Sequence, residues 1–339
     1  MKVAVTGGTG FVGSHTVAAL SAAGHEVRLL VRNPDRLGPA FEPLGLAASI
    51  EVLVGEVTDA EDIGRLLDGC DAVIHAASVY SLDSRDTARI RAINIEGTRL
   101  VIEAGRRIGL DPIVHVSSIS AMLPASSPLS PDSPVARATG PYGRSKADSE
   151  RLARQHQAEG APVVTVMPSS VWGPHDPHFG ESCRVVANFL RGYTRVLPAR
   201  GSMTIVDVRD VAAVLVGAIE RGLGPRRYLV APHRISLGDL CASMNRLTGR
   251  RIRYVRLPNP VITAAVALMD SLQRLLPFRL PISAEGARLT LAWPSADSST
   301  AAHEFGIDWT PLDNTITDTI TSMVKHAQLA SPDAGALGY

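Results

Sequence analysis

Aromatic residues make up only 4% of this 339-residue chain, too few for a surface on which nucleobases could stack. Its formal net charge is +1, so no bulk field recruits nucleic acid or anionic lipid. Cys70, Cys183 and Cys241 lie far apart and in no C-x-x-C arrangement. That excludes a disulfide framework and a zinc site, and it points to reduced thiols in a cytoplasmic setting. No metal site is expected. A core strand at the N-terminus leaves no room for a signal peptide before the fold. Long apolar runs are also missing. The most apolar late stretch, Val261 to Leu276, carries Asp270, Gln273 and Arg274 and is short for a membrane span. It reads as a core or pocket-lining helix, with a membrane-surface contact as the alternative. There is no repeat of solenoid period and no low-complexity tract.

What is present is a core-rich chain, 45% hydrophobic and 20% charged, organised around its first thirteen residues. Val3-Ala4-Val5 reads as a buried strand. It runs into Thr6-Gly7-Gly8-Thr9-Gly10 and then a helix from Phe11 to Ala23. Strand, glycine turn and helix form the context that a dinucleotide fingerprint requires. Gly7 permits the tight turn, Gly10 lets backbone approach a pyrophosphate, and Gly13 lets helix and strand pack closely. The helix N-terminus offers N–H groups to the phosphates. Thr9, Phe11 and Val12 complete this part of the candidate site.

A second strand, Glu26 to Arg32, ends where the adenine ribose lies in such a fold. An acidic residue there favours NAD; here stands Arg32, with Arg36 a short turn onward. A guanidinium suits a 2′-phosphate, so NADP(H) is favoured over NAD(H). Further strands follow at Ile50–Val54, Asp71–His75, Pro112–Ser117 and Pro162–Met167, alternating with helices at about 60 onward, 86–108 and 141–157. Glu56 could accept a bond from the adenine amino group, with Val57 beside it. Small Ala76 and Ala77 let backbone run close to the cofactor, while His75 reads as a packed strand-end residue. Asn94, unfavourable by propensity inside a helix, suggests a polar role. This alternation implies a Rossmann-type α/β fold, a doubly wound parallel sheet. It spans residues 1–168, with return segments near 202–230. A smaller C-terminal α/β substrate-binding part spans 169–326, with Val171 to Pro177 as a loop and a segment at Ser283 to Leu291. The Ala-, Gly-, Ser- and Pro-containing tail, 327–339, is expected to be disordered.

Tyr142 and Lys146 lie four residues apart on one helix and so share a face. Tyrosine titrates near 10 when unperturbed. A neighbouring ammonium and a nicotinamide cation favour the phenolate. The tyrosine could then exchange a proton with a substrate oxygen while hydride moves. Ser118, at the end of the preceding strand, would hold that oxygen, with Ser117 and Ser120 as adjacent alternatives. Lys146 would also bond the nicotinamide ribose. Alone, Y-x-x-x-K is a chance string; the strand-end serine and the nucleotide fold around it give it meaning.

Thr6-Gly7-Gly8-Thr9-Gly10-Phe11-Val12-Gly13, His75-Ala76-Ala77, Asn94 with Gly97-Thr98, Ser117-Ser118, Tyr142 and Lys146 together resemble the extended short-chain dehydrogenases/reductases, the NAD-dependent epimerase/dehydratase family. Pro168 with Gly173-Pro174, and Asp207 to Ala212, extend the likeness over nearly the whole chain. The resemblance implies a bound nicotinamide cofactor, a catalytic Ser118, Tyr142, Lys146 and Asn94, a C-terminal substrate part and a homodimer through helices 86–108 and 142–157. Ser117, Tyr142, Lys146, Pro168, Ser170 and Val171 become further candidate cofactor contacts. Departures narrow the substrate. Ile119-Ser120 stand where dehydratases of the family carry Asp-Glu. Met203 and Met167 replace arginines, and Trp172 a tyrosine. Lost charge and added apolar surface suggest a moderately apolar small molecule, as in the dihydroflavonol reductase and 3β-hydroxysteroid dehydrogenase branch. Val79, Tyr80, Val171, Trp172 and the helix around Val185 to Leu190 are candidate pocket walls, or equally plain core. The competing functions are a sugar-nucleotide epimerase with retained NAD and a non-catalytic NADP(H) sensor.

Overall fold

The computed structural model describes residues 1–46, 50–81, 86–125, 128–138, 140–222, 224–273, 291 and 293–338. Strands β1 (Lys2–Thr6), β2 (Glu26–Val31), β3 (Glu51–Val54), β4 (Ala72–His75), β5 (Ile113–Val116) and β6 (Val163–Pro168) build most of the central sheet. In the C-terminal half lie β7 (Ser170–Trp172), β8 (Val196–Pro198), β9 (Ser202–Asp207), β10 (Arg226–Val230), β11 (His233–Ser236) and β12 (Val255–Leu257). The central sheet has seven strands in the order β10-β6-β5-β4-β1-β2-β3, and every pairing in it is parallel. The fold is the Rossmann-type doubly wound α/β architecture.

A parallel strand covered by helices on both faces must be apolar on both faces. Val3, Ala4 and Val5 of β1 accordingly have no exposed surface. One face is covered by helix Phe11–Ala22, packed against helix Val208–Gly217. The other carries helices Ala60–Leu67, Gly97–Ile108 and Pro141–Ala158. From β1 the chain winds first toward β3 and then, through β4, toward the opposite edge. Ligands of such sheets bind where that order reverses, beyond the carboxyl ends of β1 and β4.

The C-terminal half contributes β10 and helix Val208–Gly217 to this core and otherwise builds a separate layer. There β9 pairs in parallel with β7 and antiparallel with β11, while β8 pairs with β12. The expected loop at 171–172 is therefore part of a strand. Its brevity, between Pro168 and Gly173, hid it from any periodicity argument. Residues 327–338, expected to be disordered, are ordered, with Ser331–Ala334 helical; Tyr339 lies outside the described residues. Leu329 and Ala334 are buried in the C-terminal core with Trp172, Ile316 and Met323, and that burial offsets the entropy of ordering the segment. Helix Asn259–Gln273 covers most of the apolar stretch at 261–276. Val261 and Leu268 on it are exposed; residues 274–276, and most of the segment expected at 283–291, lie outside the described residues. Among the described residues, no helix is long and apolar enough to cross a membrane.

Candidate active site

A cavity of about 720 Å³ lies at the reversal point. Its floor is the glycine turn. Gly7 has φ +74, and a Cβ there would lie 2.5 Å from the Ala77 nitrogen, so only glycine lets β1 and the exit of β4 approach this closely. On Gly13 a Cβ would fall 2.1 Å from the Gly7 carbonyl oxygen, which fixes the helix against the turn. Gly10 caps helix Phe11–Ala22 without a side-chain acceptor, leaving first-turn amides available to a bound anion. Thr9 and Gly10 line the cavity; Phe11, Val12 and Gly13 stand behind them on the helix. This narrow, uncapped cradle fits a dinucleotide pyrophosphate.

The far end of the cavity is lined by Arg32, Arg36, Glu56 and Val57. Arg32 and Arg36 are exposed, and neither is ion-paired among the described residues. Glu56 is held by its backbone N–H, which donates to Asp62 Oδ2 (2.7 Å). Ala76 and Ala77 form the wall beside Gly7.

His75, fully buried, ties this end together. Thr98 Oγ1 donates to the Asn94 carbonyl (2.7 Å) and so accepts from His75 Nε2 (3.1 Å). His75 Nδ1 is then the acceptor for the Thr6 hydroxyl (2.8 Å), while Thr6 Oγ1 takes the Ala77 N–H (3.3 Å). Burial holds the imidazole neutral, its pKa lowered to about 3, with Lys146 adding a smaller effect in the same direction.

Helix Pro141–Ala158 begins with proline at its first position, where no N–H is needed. Tyr142 is 9% and Lys146 5% exposed. Lys146 Nζ donates to the Val116 carbonyl at the end of β5 (3.2 Å). Burial pulls the ammonium down to about 8, and the Glu150 carboxylate opposes that shift. The helix packs against the short turn Ile119–Met122, whose N-cap is Ser118. Ser118 Oγ accepts from the Ser120 backbone N–H (3.2 Å) and hydroxyl (2.9 Å). Its own proton is engaged in neither bond. Ser117 and Ser120 are buried, whereas Ser118 is partly exposed.

Asn94 sits in a π-helical segment, Ala92–Glu96. Its side chain accepts from the Val79 N–H (2.7 Å) and donates to the Val79 carbonyl (3.1 Å) and to Ser145 Oγ (3.0 Å). The amide is spent on the cavity wall, which makes it a brace rather than a group free for a reacting atom. Val79 and Tyr80 line the cavity. The Tyr80 and Tyr142 ring centroids are 4.6 Å apart, so the cavity wall meets the helix that bears Tyr142 and Lys146.

Trp172 does not line this cavity. It has no exposed surface, donates from Nε1 to Ser170 Oγ (3.0 Å), and fills the C-terminal core. Pro168 closes β6; Ser170 and half-buried Val171 lie in β7, away from the cavity lining. The helix expected as a pocket wall, Glu181–Leu190, buries Val186, Ala187, Phe189 and Leu190 and turns Val185 to solvent. Glu181 and Arg184 at its start, with His178, reach the cavity instead. The sequence carries no signal for these three, because they meet the nucleotide half only through the packing of the C-terminal layer. Among the described residues no cluster could hold a metal ion.

A family model for the NAD dependent epimerase/dehydratase family matches residues 3–231. Sterol demethylase protein B of Methylococcus capsulatus is 30% identical over 313 residues, covering 91% of this chain and 93% of that protein. A putative dihydroflavonol 4-reductase of Synechocystis is 30% identical over 342 residues, covering 95% and 94%. Among solved structures, UDP-glucuronic acid 4-epimerase from Bacillus cereus, in complex with UDP-glucuronic acid and NAD, superposes with a TM-score of 0.77 at 20% identity. That likeness covers 96% of this chain and 100% of the epimerase and speaks for the fold alone. Proteins named as a reductase and as an epimerase are thus among those the chain is similar to. The chain belongs to the NAD dependent epimerase/dehydratase family.

Proposed function

We propose that the protein is an NADP(H)-dependent oxidoreductase. It exchanges hydride between the nicotinamide and the carbonyl or secondary alcohol of a moderately apolar small molecule. The observation carrying this reading is that one cavity holds the glycine cradle, Arg32, Arg36 and Tyr80, and that the Tyr80 ring lies against Tyr142 on the helix that also bears Lys146. Two guanidiniums suit a 2′-phosphate, which each can meet with charge-assisted bonds.

The cofactor, when bound, supplies the hydride. This chain supplies the rest. Ser118 holds the substrate oxygen through its uncommitted hydroxyl proton. Tyr142 gives a proton to that oxygen in reduction and removes it in oxidation. Lys146, anchored on the Val116 carbonyl, places a positive charge beneath the tyrosine and favours its phenolate. Asn94 positions Val79 and Ser145, and through them the wall and the catalytic helix. Val79 and Tyr80 present apolar surface to the substrate. In this reading the protein works in the cytoplasm as a homodimer paired through helices 86–108 and 142–157, a state that sedimentation would test.

Support for a carbonyl substrate of low polarity comes from Met167 and Met203, buried where sugar-nucleotide enzymes carry arginines, and from the reductase names among the relatives. The test is a cofactor-consumption screen of NADPH against NADH over ketones, aldehydes and sugar nucleotides. NADPH oxidation with an apolar ketone is the expected result. Retained NAD, with sugar-nucleotide turnover and no net reduction, would replace this reading with an epimerase.

A further inference from the structure

Helix Pro141–Ala158 carries more than its tyrosine and lysine on the buried face. Tyr142, Lys146, Glu150 and Arg154 recur at four-residue intervals, so they stack in one row. Glu150 has no exposed surface at all. A carboxylate in that position is costly unless something compensates it. On one side Arg154 Nε donates to Glu150 Oε1 (2.8 Å). Arg154 is itself oriented by the Ser133 carbonyl (2.8 Å) and the Pro131 carbonyl (3.4 Å). Arg227, reaching over from β10, adds a second positive charge, shared with Asp132 and Gln157 Oε1. The other oxygen, Oε2, has no hydrogen-bond partner. The Glu150 carboxyl also lies near the Ser117 hydroxyl, short of a well-aligned bond.

Lys146 is the complementary case, an ammonium almost out of water with one neutral acceptor, the Val116 carbonyl. The ionisable groups near it are few. His75 and His115 lie on adjacent strands, their rings stacked with centroids 5.8 Å apart, and burial keeps both neutral. Tyr142 lies one turn before it, Glu150 one turn after. Among the described residues, Glu150 is the negative charge acting on Lys146.

We propose that Glu150 is the built-in counter-charge of Lys146, a positioning residue that keeps the ammonium protonated in the dry floor of the site while Arg154 keeps Glu150 ionised. Charge therefore alternates along this helix, positive at Lys146, negative at Glu150 and positive at half-buried Arg154. Burial raises the Glu150 carboxyl and lowers Lys146; Glu150 opposes the shift of Lys146, while Arg154, Ser117 and Arg227 oppose that of Glu150. The consequence for turnover rests on the reductase reading above; the ionisation of Lys146 does not.

Lys2, Lys146 and Lys325 are the chain's lysines, so an isotope-labelled lysine NMR titration of the full chain resolves each one. In Glu150→Gln the Lys146 midpoint should fall by about one pH unit or more, with Lys2 and Lys325 unmoved. Glu150→Asp, whose carboxylate is withdrawn by one methylene, should show a smaller fall. It carries the test if the Gln variant does not fold. A Lys146 midpoint unmoved in a folded variant overturns the proposal. In turnover, the alkaline limb of the kcat–pH profile should move down in step with that midpoint. A plain packing defect would lower kcat at every pH and leave the limb in place, a result that also overturns it. If the NMR midpoint moves but no carbonyl compound is turned over, the counter-charge stands and the reductase reading falls.

Discussion

The nucleotide half and the C-terminal layer are held by different kinds of constraint. Around the glycine turn, backbone approaches backbone: the Gly7 and Gly13 positions leave no room for a Cβ, and buried polar side chains such as Thr6, His75 and Thr98 are bonded in one directional chain. In the C-terminal layer, side chain packs against side chain. Trp172, Phe189, Ile316 and Met323 interlock there, and the same volume could be filled by other apolar sets. Close backbone contact dictates residue types at fixed spacing. Side-chain packing dictates only hydrophobicity and size.

That contrast can be broken or sharpened experimentally. The largest effect is expected from Tyr142→Phe, which should lower kcat by about 10²–10⁴-fold and leave NADPH affinity and thermal stability nearly unchanged. Loss of stability in place of activity would make Tyr142 another packed residue. Trp172→Ala probes the opposite half. It should destabilise the fold by about 3–5 kcal/mol in chemical denaturation, with cofactor preference retained. A changed cofactor preference would mean that the two halves are not separable in this way.

Arg32→Asp comes next. It should weaken NADPH binding by about 1.5–3 kcal/mol relative to NADH, read by fluorescence titration of both. Equal weakening of both removes Arg32 from the 2′-phosphate end. A gentler probe is acid. His15 and His75 are held neutral by burial, lowered from 6.5 to about 4 and about 3. Below 6.5 the unfolded chain binds protons that the folded chain refuses. Stability is therefore full above 6.5 and falls as pH drops toward those lower values. The expected slope is about 1.4 kcal/mol per pH unit for each such histidine. Denaturation midpoints that stay flat between pH 6.5 and 5 would show that these sites admit water.

Much of the nucleotide half was legible in the chain. The turn Gly7 to Gly13, the alternation that built β1 to β6 and the helix bearing Tyr142 and Lys146 all follow from local rules. Other residues were not legible. Asn94 stood out as an oddity of propensity, but its partners Val79 and Ser145 are fifteen and fifty-one positions away. Trp172 read equally as wall or core, because apolar character alone does not say which surface it meets. The tail residues Leu329 and Ala334 looked like a fraying end; only the groove beneath them made burial possible. His178, Glu181 and Arg184 left no local trace.

The sequence by itself therefore determined the parallel sheet, the dinucleotide turn and the family. These depend on short-range steric and hydrogen-bonding rules that act within one strand–turn–helix unit. Only the tertiary structure decided which apolar residues became wall and which became core. It alone placed Glu150 in the dark behind Lys146 and brought the C-terminal layer to the nucleotide cavity. Those outcomes depend on which surfaces exclude water together, and water exclusion is a property of the assembled volume rather than of any segment.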